Sequence, residues 1–186
     1  MPSIRERRTV YETPWFRLIA RDVEGFVSPE PYYALDLPDY AAMVAVTQEG
    51  KMLLVRQYRP AAERVTLELP SGIPDRGEQP VEAAVRELRE ETGYRPLLVE
   101  ALGSLHTDTG RLSNRVWCFF ALVEPDPHPP ARPVDEPPIE TLLVPWEEFY
   151  QKQFGIKDGF DHAIHVAAVS LAVARGLLPP SQESLS

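Results

Sequence analysis

Residues 72–94 read GIPDRGEQPVEAAVRELREETGY, and this stretch constrains the chain more than any other. Pro80 suits a first helical turn, where its missing N–H leaves nothing unsatisfied. Gly93 suits the left-handed residue just past a helix end. The spacing therefore predicts a helix over residues 80–91. Glu87, Glu90 and Glu91 then stand at i, i+3 and i+4 on one face, while Val81, Ala84, Val85 and Leu88 form an apolar stripe expected on the opposite side. Three carboxylates at that spacing repel one another and weaken a helix. The arrangement makes sense around a divalent cation. Oxygen donors from carboxylates suit hard ions such as Mg²⁺, which also takes water and substrate phosphate. The residues thus point to a Mg²⁺-dependent site that handles a phosphate compound.

The same stretch resembles the Nudix box, G-x5-E-x7-R-E-U-x-E-E-x-G-U with U apolar. Gly72, Glu78, Arg86, Glu87, Glu90, Glu91 and Gly93 stand at its fixed positions, and Leu88 and Tyr94 fill the U positions. A chance match in a chain of this length is on the order of one in a million from ordinary residue frequencies. The alternative, a solvated helix face with ion pairs such as Glu82 with Arg86, accounts for single pairs but not for the whole set.

The 186 residues are enough for one domain with a full core, with or without a small appendage. A net charge of -9 argues against nonspecific nucleic-acid binding, which needs a basic surface. It does not argue against a polyphosphate substrate, because a bound cation inverts the local field. Cys118 is the sole cysteine, so no intrachain disulfide can form. The first residues carry no apolar signal core, and no apolar run reaches membrane-spanning length. A soluble, cytoplasmic protein with no membrane partner is expected. Prolines crowd residues 125–138, which read as a loop, and residues 179–186 read as a frayed tail.

Before the box, residues 9–37 read as short alternating strands. They bury too little alone and are expected to pack on the main domain or on another subunit. A continuous apolar run, AAMVAV, predicts a buried strand, with KMLLVRQYR as its hairpin partner and VTLELP as a third strand. Two further strands, LLVEALGSLH and RVWCFFALVE, then ETLLVP, a short helix near Trp146 and a last helix over residues 160–175 complete the order. This is an α/β chain with a mixed sheet. It is similar to the α/β/α sandwich of Nudix hydrolases over about residues 40–170, with a small N-terminal antiparallel strand segment. The N-terminal strands, the phrase VRQYR before ELPSG and the terminal helix resemble the ADP-ribose pyrophosphatase branch. The expected division is an N-terminal β segment over residues 1–39 for dimerisation or substrate contact, a Nudix domain over 40–178 and a tail over 179–186. The resemblance also implies a homodimer.

By position, the resemblance makes Glu87 and Glu91 direct Mg²⁺ ligands, with Mn²⁺ a possible substitute. Glu90 becomes a ligand or its support, the carbonyl of Ser71 a further ligand, and Glu78 a water-mediated ligand or loop brace. Arg86 holds one of the helix carboxylates, and Gly72 and Gly93 serve backbone geometry. Arg59 is expected to contact substrate phosphate, since a planar guanidinium suits bidentate contact, with Arg56 and Glu68 as further contacts. The general base falls to Glu136 in the phrase VDEPPIE, with Glu140 second and Glu90 a rival. His106, His128, His162 and His165 read as structural or exposed. Trp15, Phe16, Tyr32 and Tyr33 read as core or interface, or as a platform for a base.

The chain departs from the branch after the fifth strand. The usual Ser-Pro-Gly phrase and following glutamate give way to residues 108–114, DTGRLSN, with Thr109 at the proline and Asn114 at the glutamate. Arg111 or Arg115 could serve a different terminal group. The implied activity is Mg²⁺-dependent hydrolysis of a nucleoside diphosphate linked to a sugar or similar group, ADP-ribose first. Another nucleotide sugar or dinucleotide, or a non-catalytic nucleotide sensor, is the alternative.

Overall fold

The computed structural model describes residues 2–131, 138–152 and 159–178. Ten strands and three helices are built from them, and they form two sheets. The larger sheet rests on β4 (Tyr40–Thr47), which is buried almost throughout. Its even residues Ala42, Val44 and Val46 point to one face and its odd residues Ala41, Met43 and Ala45 to the other. Both faces are covered, so the strand reads as an unbroken apolar run rather than an alternating one. β4 pairs in parallel with β9 (Arg115–Pro125), which pairs antiparallel with β8 (Tyr94–His106). On the other side it pairs antiparallel with β5 (Lys51–Arg59), whose outer edge carries β10 (Glu140–Pro145). The sheet is mixed, as the sequence implied.

Helix α1 (Pro80–Thr92) covers one face over Ala83, Ala84 and Leu88. Of the expected stripe, Ala84 and Leu88 are buried and Val85 packs partly buried against the same cluster; Val81 alone is exposed, and Ala83 is buried in its stead. Glu87, four residues after Ala83, therefore stands at the margin of the buried stripe and is only 18% exposed. Glu82 does not pair with Arg86; its carboxylate accepts a hydrogen bond from the Gln79 N–H at 2.9 Å and caps the helix. Helices α2 (Trp146–Lys152) and α3 (Ala163–Ala174) cover the other face, where Phe149, Phe160, Val169 and Ala172 are buried. Helix α3 is shorter than the reading over residues 160–175. Two layers of helix enclose the sheet, giving the α/β/α sandwich.

One irregularity positions the site. β4 and β5 are paired only at Ala45–Leu53 and Val46–Met52, then diverge. The gap is filled by one stretch of chain: β6 (Arg64–Glu68) pairs β5, and β7 (Ser71–Gly72) pairs β4. The step between them falls at Leu69 and Pro70, where proline withholds an N–H from the ladder. Residues 68–72 are thus wedged into the opening of the sheet, beside the C-terminal half of α1.

The N-terminal residues make a separate antiparallel sheet of β1 (Ile4–Glu12), β2 (Arg17–Val23) and β3 (Tyr32–Asp36). It docks on the main domain through β3. Leu35 N–H donates to Arg111 O at 2.8 Å, and Ser113 N–H donates to Leu35 O at 3.0 Å. Ser113 Oγ adds a bond to Asp36 at 2.7 Å. Strand β1 is exposed along almost its whole length. Among the described residues no helix is long and apolar enough to cross a membrane.

Candidate active site

Arg86 is the hub of the acidic helix. Its Nε and Nη2 donate to the two oxygens of Glu78, both at 3.0 Å. Its Nη1 donates to Glu87 at 2.8 Å and to Glu90 at 3.1 Å, and Nη2 also reaches the Ile73 carbonyl at 3.2 Å. One guanidinium thus ties the loop after Gly72 to the helix and offsets much of the repulsion between the acids. Glu78 lies below its usual carboxylate range, chiefly because Arg86 bonds it. Its Oε2 also accepts the Asp75 N–H at 2.8 Å, so it braces the loop. Glu90 is held on Arg86.

Glu91 has a different environment. Its Oε2 accepts the Ser71 N–H at 2.9 Å across the gap between α1 and β7. Burial pushes its carboxyl up to about 8; the Ser71 hydrogen bond opposes this, and the charge on nearby Glu87 adds to it. Glu87 lies against Gly72. A Cβ on Gly72 would fall 2.2 Å from Oε1 and 2.3 Å from Cδ of Glu87. Gly72 is not among the glycines with positive φ, so its requirement is space for a carboxylate rather than backbone freedom. Gly93, by contrast, has φ 72° and closes α1, its N–H bonded to Arg89 O at 3.0 Å.

Among the described residues no three acidic, histidine or cysteine side chains converge as a cage for a metal ion. Glu91 is bonded to the Ser71 N–H, and the Glu87 carboxylate lies against Gly72, so both acids border the backbone at Ser71 and Gly72. A pair of carboxylates with a backbone oxygen fits Mg²⁺, which keeps several positions for water and phosphate rather than an all-protein cage. Burial and the Glu87 charge disfavour the ionised form of Glu91, and a cation held beside the two carboxylates would offset that penalty.

Glu68, at the end of β6, is only 1% exposed. Arg59 grips it with two parallel bonds, Nε at 2.8 Å and Nη2 at 2.7 Å, and Thr66 Oγ1 donates at 2.6 Å. Burial alone would raise the Glu68 carboxyl, but these bonds outweigh it and hold it at about 2, below its ordinary 4.5. The pair's contribution to stability is therefore complete above pH 4.5 and is lost as pH falls toward 2. Replacing Arg59 with Met should cost about 2 kcal/mol at neutral pH. That is less than the roughly 3–5 kcal/mol for breaking a fully buried pair, because the Arg59 side chain is 41% exposed. Urea unfolding should show the gap between variant and parent closing from pH 7 to pH 3; a gap independent of pH would remove this account.

Arg59 and Glu68 open onto a cavity of about 740 Å³ that runs from the sheet gap to the N-terminal segment. Trp15, Tyr40, Ile73, Asn114 and His162 contribute to its wall. Trp15 is neither core nor covered; it is 72% exposed. The preceding turn fixes its backbone, with Thr13 Oγ1 accepting the N–H of Trp15 at 3.2 Å and of Phe16 at 3.0 Å. Asn114, at the position of the expected glutamate, is held by Thr107 Oγ1 at 2.8 Å.

Other candidates lie elsewhere. Arg56 pairs across the β5–β10 edge with Glu140 at 3.0 Å, both well exposed. Glu140 opens β10, the strand expected over ETLLVP. Arg111 stacks over the Tyr32 ring at 4.4 Å, and Arg115 is engaged by Ser104 and His106; neither lines the cavity beside Glu68. Glu136 lies outside the described residues, as does the tail over 179–186. Tyr40 carries no role in the sequence pattern and His165 only a structural or exposed one, yet the two meet behind Ser71. No local spacing signals them, since 125 residues separate the two.

Residues 37–163 match the family model described as the NUDIX domain. The ADP-ribose pyrophosphatase of Bacillus subtilis (strain 168) is 39% identical over 84 residues, 45% of each chain. The methanol dehydrogenase activator of Bacillus methanolicus is 42% identical over 84 residues, again 45% of each chain. The ADP-sugar pyrophosphatase of Mus musculus is 44% identical over 63 residues, 34% of this chain and 28% of that one. These alignments span less than half the length of the curated relatives they reach. A solved structure described as an ADP compounds hydrolase superposes with a TM-score of 0.73, covering 95% of this chain and 94% of that one at 23% identity, which shows a shared fold. The family model spans most of the chain, over a helix and loop built as described, and this protein belongs to the Nudix family.

Proposed function

We propose that this protein is a Mg²⁺-dependent pyrophosphohydrolase of nucleoside diphosphates linked to a sugar, with ADP-ribose the leading substrate, cleaved to AMP and ribose 5-phosphate. The observation that carries this reading is that Glu91, bonded to the Ser71 N–H, lies near enough to feel the charges of Glu87, Arg59 and Glu68. Arg59 and Glu68 in turn line a cavity of about 740 Å³. That volume lies within the range of sites for small ligands. A bound Mg²⁺ would neutralise charge on the diphosphate and orient a water for in-line attack. Glu87, Glu91 and the Ser71 carbonyl would hold it, with Glu78 and Glu90 kept in place by Arg86. Arg59, oriented by Glu68, would present its free guanidinium edge to a phosphate oxygen. Water adds at one phosphorus as the bridging P–O bond breaks, so each product leaves as a monophosphate. We assign the base that takes the water's proton to Glu136, with Glu90 as its rival.

The names of the Bacillus subtilis and mouse relatives support the substrate class. Asn114 in the cavity wall, where the branch carries a glutamate, favours a second reading in which another nucleotide sugar is preferred. We place the protein in the cytoplasm as a homodimer. Residues 1–39 serve as a substrate-contacting and dimerising segment before the domain over 40–178. Assays with Mg²⁺ across ADP-ribose, other nucleotide sugars and dinucleotides, reading released monophosphate, test the proposal. Tight binding of nucleotide without turnover would instead identify a sensor.

Trp15 at the cavity rim offers a face on which the base can stack. Stacking of a base on an aromatic side chain is worth about 1–3 kcal/mol. Trp15→Ala should therefore raise KM roughly 5- to 150-fold with kcat little changed. Steady-state kinetics on ADP-ribose give the answer, and an unchanged KM would remove Trp15 from the substrate site.

A further inference from the structure

Behind Ser71 the hydrogen bonds close on themselves. Leu69 N–H donates to His165 Nδ1 at 3.2 Å. A backbone amide can only donate, so Nδ1 is the bare nitrogen. The ring is completely buried, which keeps it neutral with its hydrogen on Nε2. Nε2 faces the Tyr40 hydroxyl at 3.4 Å and donates to it. The Tyr40 hydroxyl in turn donates to Ser71 Oγ. Ser71 Oγ–H donates to the Leu69 carbonyl at 2.9 Å, which can only accept. The circuit leaves Leu69 at its N–H and returns at its C=O through three side chains, from α3, β4 and β7. Its two backbone ends allow one polarity only. Ser71 carries a second duty, because its N–H donates to Glu91.

We infer that this ring is a positioning device for the metal site, with Tyr40 and His165 as its positioning residues. It fixes the Ser71 peptide, and so sets where the Glu91 carboxylate and the Ser71 carbonyl point. The inference rests on the reading of Glu87, Glu91 and Ser71 as metal donors. It adds that their geometry is set from the opposite layer of the sandwich, through the gap between β4 and β5. Supports of this kind orient ligands and are worth about 10- to 100-fold in metal affinity. Hydrogen bonds in a closed circuit polarise one another, so breaking one link weakens the rest.

The test uses the full chain without substrate. Mn²⁺ binding is followed by loss of the free-ion EPR signal for the parent, Tyr40→Phe, Ser71→Ala, their double variant and Glu91→Gln. Tyr40→Phe and Ser71→Ala should each weaken Mn²⁺ binding about 10-fold. The double variant should be no worse than the weaker single, because an opened circuit cannot be opened again. Tyr40→Phe keeps the aromatic ring, and Ser71→Ala breaks the same link from the other side should the first variant fold poorly. Parent-like Mn²⁺ affinity in both singles, with binding lost in Glu91→Gln, overturns the ring and leaves the metal reading standing. Effects that multiply in the double variant overturn the ring as a single device. Parent-like affinity in Glu91→Gln overturns the metal reading, and this inference with it.

Discussion

Glu91→Gln should lower turnover by at least about 10³-fold while leaving the protein folded and slightly more stable. Glutamine keeps a carbonyl oxygen to accept the Ser71 N–H, the 2.9 Å bond that joins α1 to β7. It removes a charge that the fold disfavours, since burial pushes the Glu91 carboxyl up to about 8 and the Glu87 charge adds to that. Uncharged, the side chain no longer supplies the anionic donor that a hard cation needs. The melting temperature should hold or rise by a few degrees, as expected when about 1 kcal/mol of burial penalty and repulsion is relieved in a chain of this size. Activity on ADP-ribose at saturating Mg²⁺ and a thermal melt give both readings. Turnover within tenfold of the parent would discard Glu91 as a ligand, and a large loss of stability would show that its role is structural.

The second large effect is expected from the smallest change. Gly72→Ala should reduce kcat/KM about 10²-fold with little effect on folding. The added methyl would occupy the place of the Glu87 carboxylate, 2.2 Å from Oε1. The obstructing atoms are the end of a flexible side chain, so Glu87 can swing away, and the backbone need not move. The fold therefore survives while the carboxylate leaves its position beside Glu91. Mn²⁺ affinity should fall along with kcat/KM. If the alanine variant binds Mn²⁺ and turns over as the parent does, the contact between Gly72 and Glu87 has no bearing on the site.

The box helix was legible because its signals are local. Pro80 and Gly93 mark its ends, and their reasons lie in backbone geometry a few residues long. The buried strand over residues 40–47 was legible from its unbroken apolar run, since both faces are covered. The helix face was read correctly at Ala84, Val85 and Leu88 and missed only in placing Val81 rather than Ala83 on it. Alanines and valines carry similar weight in a pattern, whereas the sheet accepts the smaller residue where the helix comes closest. Glu68 gave no sign of its burial, because only pairing with Arg59 from the neighbouring strand makes that burial tolerable. Trp15 read as core, interface or a platform for a base, and its 72% exposure removes the core, since nothing in a sequence tells an aromatic residue at a cavity rim from one inside.

The sequence by itself determined the family, the acidic helix and the mixed α/β order, because these follow from spacing within single elements. Tertiary structure alone decided that Gly72 makes room for Glu87, that Arg86 serves three carboxylates and that Tyr40 and His165 close a circuit on Ser71. The physical reason is range. A helix or strand sets its own period over a few residues, whereas the opening between β4 and β5 brings together groups more than a hundred residues apart, which no local pattern encodes.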